Sequence, residues 1–446
     1  MVQLPESMQS VVTTFKNAGF AIYLVGGAVR NIVLKKPITN WDFTTNARPD
    51  EILKLYPDGF YNNTFGTVGV KIGEEIVEIT TFRKEGVYSD ARHPDEIEWA
   101  DTLEEDLARR DFTINAMAYD GAHVIDPYHG REHLQQKRVV CVGDPSIRFQ
   151  EDALRLLRAV RFCSQLGFLL QDETRDAIRS NAHLIDKVSG ERIRDELLKI
   201  VASDHAAEGI LFLRSTGLLE QILPELDACF IVDQKSPKRH HIYDVGTHLV
   251  MSLKNCPSID PITRLATLLH DIGKVQTYRK DPETGLITFH NHEVVGEKLV
   301  AVIADRLRLS KKDKAKLVLL VRHHQFTVSE LQTDKAVRRF IRDVTKEYLQ
   351  DMLDLRTGDR IGSGATPTSW RLDLFKKRLE EVQQHVFSVT DLKVDGNDVM
   401  STLSLKPGKE IGAVLDWLFQ EVDDGRLTND RDALLQAMKD RHVQGR

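Results

Sequence analysis

Residues 20–45 read FAIYLVGGAVRNIVLKKPITNWDFTT. The apolar run FAIYLV predicts a strand, Gly26 and Gly27 a tight turn, and AVR the opening of a helix. Glycines at such a turn let backbone amides approach a phosphate, and a helix that opens there adds partial positive charge. Arg30, just inside that helix, is a candidate for holding a triphosphate or a ribose. Many Gly–Gly turns before helices are only structural, so the turn needs company. It comes at Asn40–Trp41–Asp42. Residues i and i+2 of a strand face the same side, and two acids so placed hold two Mg²⁺ ions for phosphoryl transfer. Here the first position carries an amide instead of a carboxylate. TVGVKIG (67–73) and EEIVEITTF (74–82) predict two more strands joined by a glycine hairpin, and Glu78 on the second is a candidate for a further acid. Two unrelated exposed acids are the plain alternative.

The pattern changes at about Phe149. FQEDALRLLRAVRFCSQLGF (149–168) spaces Leu154, Leu157, Val160 and Leu166 as a helix does, and ERIRDELLKIV (191–201) follows suit. The chain reads as helical to about residue 225 and again from 240 to about 380. DQKSPKRHH (233–241) is a polar, proline-containing break that suits a linker. The tail from DLKVDG (391–396) holds a KPG turn (406–408) that opens a short helix. The fold class expected is α+β: a small mixed β-sheet in an N-terminal head, then helical domains.

Length and composition narrow the function. A chain of 446 residues is too long for one core and suggests about three domains. With 41% hydrophobic and 29% charged residues it is composed as a soluble globular protein, not a disordered one. No run of 18 apolar residues suggests a membrane span, and MVQLPESMQS has no secretion signal. The cysteines 141, 163, 229 and 256 are far apart, as expected of reduced thiols in a cytoplasmic protein. The net charge of −6 requires a nucleic-acid binder to concentrate its positive charge locally.

RRDFTINAMA (109–118) gathers Arg109, Arg110 and Asp111, suited to phosphate or sugar. In EDALR (151–155), Asp152 and Arg155 stand at i and i+3, which on a helix is one exposed face. An acceptor beside a donor complements the edges of cytosine and adenine, each a donor next to an acceptor, whereas uracil and guanine present the opposite order. Such a pair selects C and A without a template strand. As a structural feature it is only a surface ion pair.

GGAVR, NWDFTT, VEITTFR, RRDFTINAMA, EDALRLLRAVRF and ERIRDELLKIV, in this order, resemble the class II tRNA nucleotidyltransferases, the bacterial CCA-adding enzymes of the poly(A) polymerase superfamily. The resemblance covers residues 20 to about 200. It implies a catalytic head at 1–138, a neck at 139–235 and a C-terminal tRNA-binding tail at 384–446. It places Asn40 and Asp42 at the family's catalytic, Mg²⁺-binding DxD motif, with Glu78 remaining a candidate for a further catalytic acid. Nucleotide contacts are implied from Gly26, Gly27, Arg30, Arg109, Asp111, Asp152, Arg155 and Arg158, with CTP and ATP as substrates and tRNA as partner. Residues 84–100 match the family's flexible loop. Two positions depart from the family pattern: Asn31 ends a motif usually closed by Asp, and Asn40 replaces the first acid of DxD. Enzymes adding only CC, only A or a poly(A) tail share nearly every motif. A phosphohydrolase with an inactive head serving as an RNA-binding module is the alternative those two asparagines raise.

A second constellation comprises His248, the adjacent His270–Asp271 in LLHDIGK, and Asp359 in LRTGDRIGS. Imidazole and carboxylate together suit a divalent transition metal such as Mn²⁺ or Ni²⁺. The order resembles the HD phosphohydrolase superfamily, which implies an HD domain at 236–383 acting on 2′,3′-cyclic or terminal phosphates. The resemblance makes these four the metal ligands, adds His292, His323 and His324 as further histidines, and leaves Lys274 and Arg322 as candidates for phosphate.

Overall fold

The computed structural model describes residues 4–62, 66–84, 98–234, 243–326, 328–329, 331–383, 389–423 and 425–444. Most of the loop expected at 84–100 and most of the linker at 233–241 lie outside the described residues. The chain forms two compact units. One comprises residues 1–322 and 354–365, the other 323–353 and 366–446.

The first unit opens on a seven-stranded mixed sheet in the order β3-β4-β5-β2-β1-β6-β7. Its strands are β1 (Ile22–Val25), β2 (Trp41–Thr45), β3 (Phe60–Asn62), β4 (Thr67–Ile72), β5 (Glu75–Thr81), β6 (Ala118–Tyr119) and β7 (Val124–Ile125). The β4–β5 hairpin turns at Gly73, whose φ of +64° favours glycine. All neighbouring strands are antiparallel except β2 and β5, which run parallel with Asp42 opposite Glu78. Alternation along the strands then separates two faces. Trp41, Phe43, Val68, Val70, Val77 and Ile79 are buried. The residues between them, Asp42 and Glu78 included, face the other way.

After the head the chain is helical, with two-residue strands pairing Arg138–Val139 with Leu169–Leu170, and Arg279–Lys280 with Ile287–Thr288. EDALR does not open one long helix. A helix at Pro145–Glu151 ends at Asp152, which is extended (φ −141°), and the next helix runs Leu154–Leu166. The break is stable because the Asp152 carboxylate accepts the Leu154 N–H at 3.0 Å and so caps the second helix. Leu156, Leu157 and Val160 of that helix are fully buried, worth about 1.5–3 kcal/mol each. The helix Gly190–Val201 packs beside it, joined by a buried ion pair in which Arg161 donates to Glu196.

In the second unit Phe326, Phe340 and Phe375 stack into one cluster, and Val399, Leu418, Leu434 and Met438 form another. Arg338 and Arg342 each donate to the buried Asp423 at 3.0 Å. The KPG turn does precede a helix, Lys409–Asp423, longer than the short one expected.

Removing one partner of a buried ion pair leaves a charge without its counterion. Glu196→Ala is therefore expected to destabilise the first unit by about 3 kcal/mol, read as a lower urea midpoint at unchanged slope.

Candidate active sites

A cavity of about 540 Å³ opens against the polar face of the sheet. Gly26, Gly27, Arg30, Asn40, Asp42, Arg109, Asp111, Asp152, Arg155 and Arg158 all line it. Glu78 does not, but it sits opposite Asp42 on the adjoining strand. Gly26 is required by its backbone, which lies where side chains rarely go. Gly26 has φ +67°, and a methyl on it would stand 3.3 Å from Arg110 Nη1 and 4.0 Å from Asp42 Oδ2. Burial and the neighbouring Glu78 carboxylate push the Asp42 carboxyl up from its usual value, against the pull of Arg110. Two carboxylates and the Asn40 amide oxygen make an all-oxygen donor set, which fits Mg²⁺.

The cations around this acid pair are individually anchored. Asp106, fully buried, accepts from Arg109 Nε at 2.9 Å, from Arg110 Nη2 at 3.2 Å and from Thr44 of β2 at 3.2 Å. Arg158 donates twice to Asp111 Oδ2, at 2.8 and 2.6 Å, and Asn115 donates to Oδ1 at 3.1 Å. Burial alone would raise the Asp111 carboxyl, but Arg158 and Asn115 outweigh it and hold it at about 2. Arg30 donates to Asn115 at 2.6 Å, and burial beside Arg161 lowers it to about 10. Arg30, Arg158 and Arg161 all gather on the ring of Phe162, so the cavity wall is strongly basic despite the acidic chain.

The Asp152–Arg155 pair is not the exposed helix face expected. Asp152 stands in the break between two helices, where it also accepts from Arg192 at 2.8 Å. Arg155 is only 9% exposed, donating to Glu151 and to the carbonyls of Arg148 and Arg109 at 3.1 and 3.3 Å. Both still reach the cavity. Asp106, Asn115, Arg161, Phe162 and Arg192 were missed in the sequence. Only Asp106 left a signal there, an acid three and four residues ahead of Arg109 and Arg110. Asn31 does not line the cavity; its amide donates to the Pro37 carbonyl at 2.8 Å, which an aspartate carboxylate could not do.

The second constellation also converges. His248 Nε2 lies 3.3 Å from His270 Nε2, Asp271 Oδ2 is 3.4 Å from each, and Asp359 Oδ1 is 3.4 and 3.6 Å away. His292 Nε2 is 3.0 Å from Asp271 Oδ1. The Nδ1 atoms of His270 and His292 pair with the carbonyls of Thr267 and Phe289 at 2.8 Å, which turns both Nε2 atoms inward. Burial disfavours charge on His270, but Asp271 and Asp359 outweigh it and raise the imidazole to about 10. The same field favours any cation among these side chains, and the mixed nitrogen–oxygen set fits a borderline divalent metal. Lys274 is not open to a phosphate. It is buried, 2.6 Å from Asp271 Oδ2 and 2.9 Å from Gln234. Arg322 pairs with Glu297 at 3.2 Å and Glu293 at 3.6 Å. His323 and His324 belong to the second unit.

The "Poly A polymerase head domain" family matches residues 22–140, "Probable RNA and SrmB- binding site of polymerase A" residues 167–230, and "HD domain" residues 241–352. A tRNA nucleotidyltransferase domain 2 matches residues 315–438. The CCA-adding enzyme of Ligilactobacillus salivarius is 30% identical over 431 residues, 96% of this chain and 95% of that one. The chain belongs to the class II CCA-adding enzyme family. The Lactobacillus helveticus member is 44% identical over 214 residues, 48% of this chain and 54% of its own. The match thus spans about half the length of several such relatives. Among solved structures, the Bacillus stearothermophilus CCA-adding enzyme in complex with CTP is 25% identical with a TM-score of 0.72, covering 99% of both chains. Among the described residues no helix is long and apolar enough to cross a membrane.

If Glu78 helps to raise Asp42, then Glu78→Gln removes one cause. In metal-free protein the Asp42 carboxyl should titrate at lower pH in the variant, followed by carbon NMR. An unchanged midpoint would leave burial as the only cause.

Proposed function

We propose that the head transfers CMP and AMP, without a nucleic-acid template, to the 3′ end of tRNA. The observation that carries this is the Asp42–Glu78 pair on the edge of an arginine-lined cavity whose wall contains Asp152 and Arg155. Asp42, Glu78 and Asn40 would hold Mg²⁺, which would supply the positive charge that phosphoryl transfer requires. Arg30 and Arg158 neutralise the triphosphate, so that pyrophosphate can leave. Asp152 accepts from the amino group of C or A, and Arg155 donates to the adjacent ring nitrogen. Because Arg192 and Glu151 already position these two side chains, the base meets a pre-organised edge. The relative crystallised with CTP supports CTP as a substrate.

We assign the roles of head, neck, HD domain and tail to residues 1–138, 139–235, 236–383 and 384–446, in a cytoplasmic protein that grips tRNA by its backbone and shape. The His248, His270, Asp271, Asp359 cluster supports a phosphohydrolase acting on 2′,3′-cyclic or terminal phosphates. A divalent metal such as Mn²⁺ or Ni²⁺ there would activate water. His292 and Lys274 hold the Asp271 carboxylate in place. Opening a cyclic phosphate at its P–O3′ bond, or hydrolysing a 3′-terminal phosphate, would restore the 3′-hydroxyl that the head needs.

With tRNA lacking CCA and one labelled nucleotide at a time, incorporation should be confined to C and then A. Asp152→Ala or Arg155→Ala should lose about 1–3 kcal/mol of discrimination per contact; unchanged rejection of UTP and GTP would remove the pair from base selection. A tail longer than CCA, or only CC, would point to one of the other nucleotide-adding activities.

His270→Ala combined with Asp271→Ala should abolish ring opening of 2′,3′-cyclic nucleotides and phosphate release from terminal monoesters, and spare CMP addition, since the two sites share no residue. Hydrolysis that survives in the double variant would refute the HD assignment.

A further inference from the structure

The sheet face that carries Asp42 and Glu78 continues outward and ends on an aromatic ring. Asp42 stands opposite Glu78, Glu78 opposite Gly69, and Gly69 opposite Phe60. Paired residues share a face, so four strands present one row. The Phe60 ring lies on Gly69: a methyl at that glycine would be 2.3 Å from the ring. Even so, the ring is 52% exposed. The intervening row, Phe43, Ile79 and Val68, supplies the core on the opposite face, so Phe60 is not part of that core. Lys71 and Ile76, opposite one another on the same face as Gly69 and Glu78, are exposed as well.

We propose that Phe60 is the stacking platform for the base of the primer's 3′-terminal nucleotide, with Lys71 beside it for a backbone phosphate; this rests on the nucleotidyltransferase reading of the head. The cavity for the incoming nucleotide includes Gly26 and Gly27, just past β1, and β1 and β5 flank β2 on opposite sides. Phosphoryl transfer needs attacking and leaving oxygens roughly in line. With the triphosphate on the β1 side of Asp42, the primer hydroxyl arrives from the β5 side. The ring lies over β4, two strand spacings or about 10 Å from β2. A ribose whose 3′-hydroxyl is at Asp42 and Glu78 carries its base outward toward that ring. The chemistry also requires tolerance. As the tail grows, the terminal base changes from the original last nucleotide of the tRNA to C. A site that reads base edges would reject one or the other, whereas every base has a π face to stack.

The test uses the full chain and a tRNA lacking CCA with 2-aminopurine as its last base. Phe60→Leu keeps apolar bulk on Gly69 and removes the π face; Phe60→Trp enlarges that face. Without nucleotide, wild type should bind the RNA and quench its fluorescence. Phe60→Leu should bind about tenfold more weakly without quenching, Phe60→Trp should match or exceed wild type, and CTP affinity should be the same in all three. Wild-type affinity and quenching in Phe60→Leu would overturn the platform, as would a CTP affinity that falls in parallel with the RNA affinity. Quenching needs no chemistry. A wild-type chain that quenches as expected but adds no CMP would refute the nucleotidyltransferase reading and uphold the platform.

Discussion

Two carboxylates held side by side across the parallel β2–β5 pair repel each other, and the head is arranged around that repulsion. Asp42 cannot turn inward, because the residues on either side of it, Trp41 and Phe43, fill the core. It is pinned next to Glu78 on the polar face, and burial with that neighbour makes its ionised form costly. The protein offsets the cost with cations it has already fixed in place. Asp106, buried and joined to β2 through Thr44, holds Arg109 and Arg110 at the rim. The result is a layered charge distribution: a buried acid, then arginines, then the acid pair. A divalent ion and a triphosphate complete that alternation.

The HD cluster solves a similar problem with different donors. Its acids are deeper, and imidazoles share the space with them. Backbone carbonyls orient His270 and His292, and Lys274 supplies a permanent positive charge against Asp271. Both sites place ionisable groups where an isolated charge would be expensive, and both set acids against arginine, lysine or imidazole groups that other side chains or backbone carbonyls orient.

Much of this was legible in the sequence for physical reasons. Period-two alternation in NWDFTT and EEIVEITTF puts Asp42 and Glu78 off the core face, and only the register that sets them opposite each other needed the structure. The convergence of His248, His270 and Asp271 was legible because an adjacent His–Asp after an apolar run is a rare arrangement. The Asp152 break was hidden because Phe149, Ala153, Leu156 and Val160 keep helical spacing across it. An Asp just before such a run is also a helix cap, and in the fold capping wins. Lys274 was misread because its role depends on burial, which a lysine in a short motif does not reveal. The two-unit division was invisible because it depends on residues 354–365 packing apart from their chain neighbours on both sides.

That last feature bears on how the molecule is made. The chain leaves the first unit at Arg322, returns at Asp354 and leaves again after Ala365. Asp359, which completes the His248–His270–Asp271 cluster, belongs to the returning segment. During synthesis the sheet of the head can settle early, whereas the neck helix Gly190–Val201 still awaits Arg264, which donates to the Val201 carbonyl, and Arg308, whose carbonyl accepts from Arg194. The buried histidines must wait until the ribosome has passed residue 365 before their last carboxylate arrives. Over that interval the nascent chain carries an unfinished, charge-unbalanced core, the stage at which a chaperone or an early-bound metal ion would matter most.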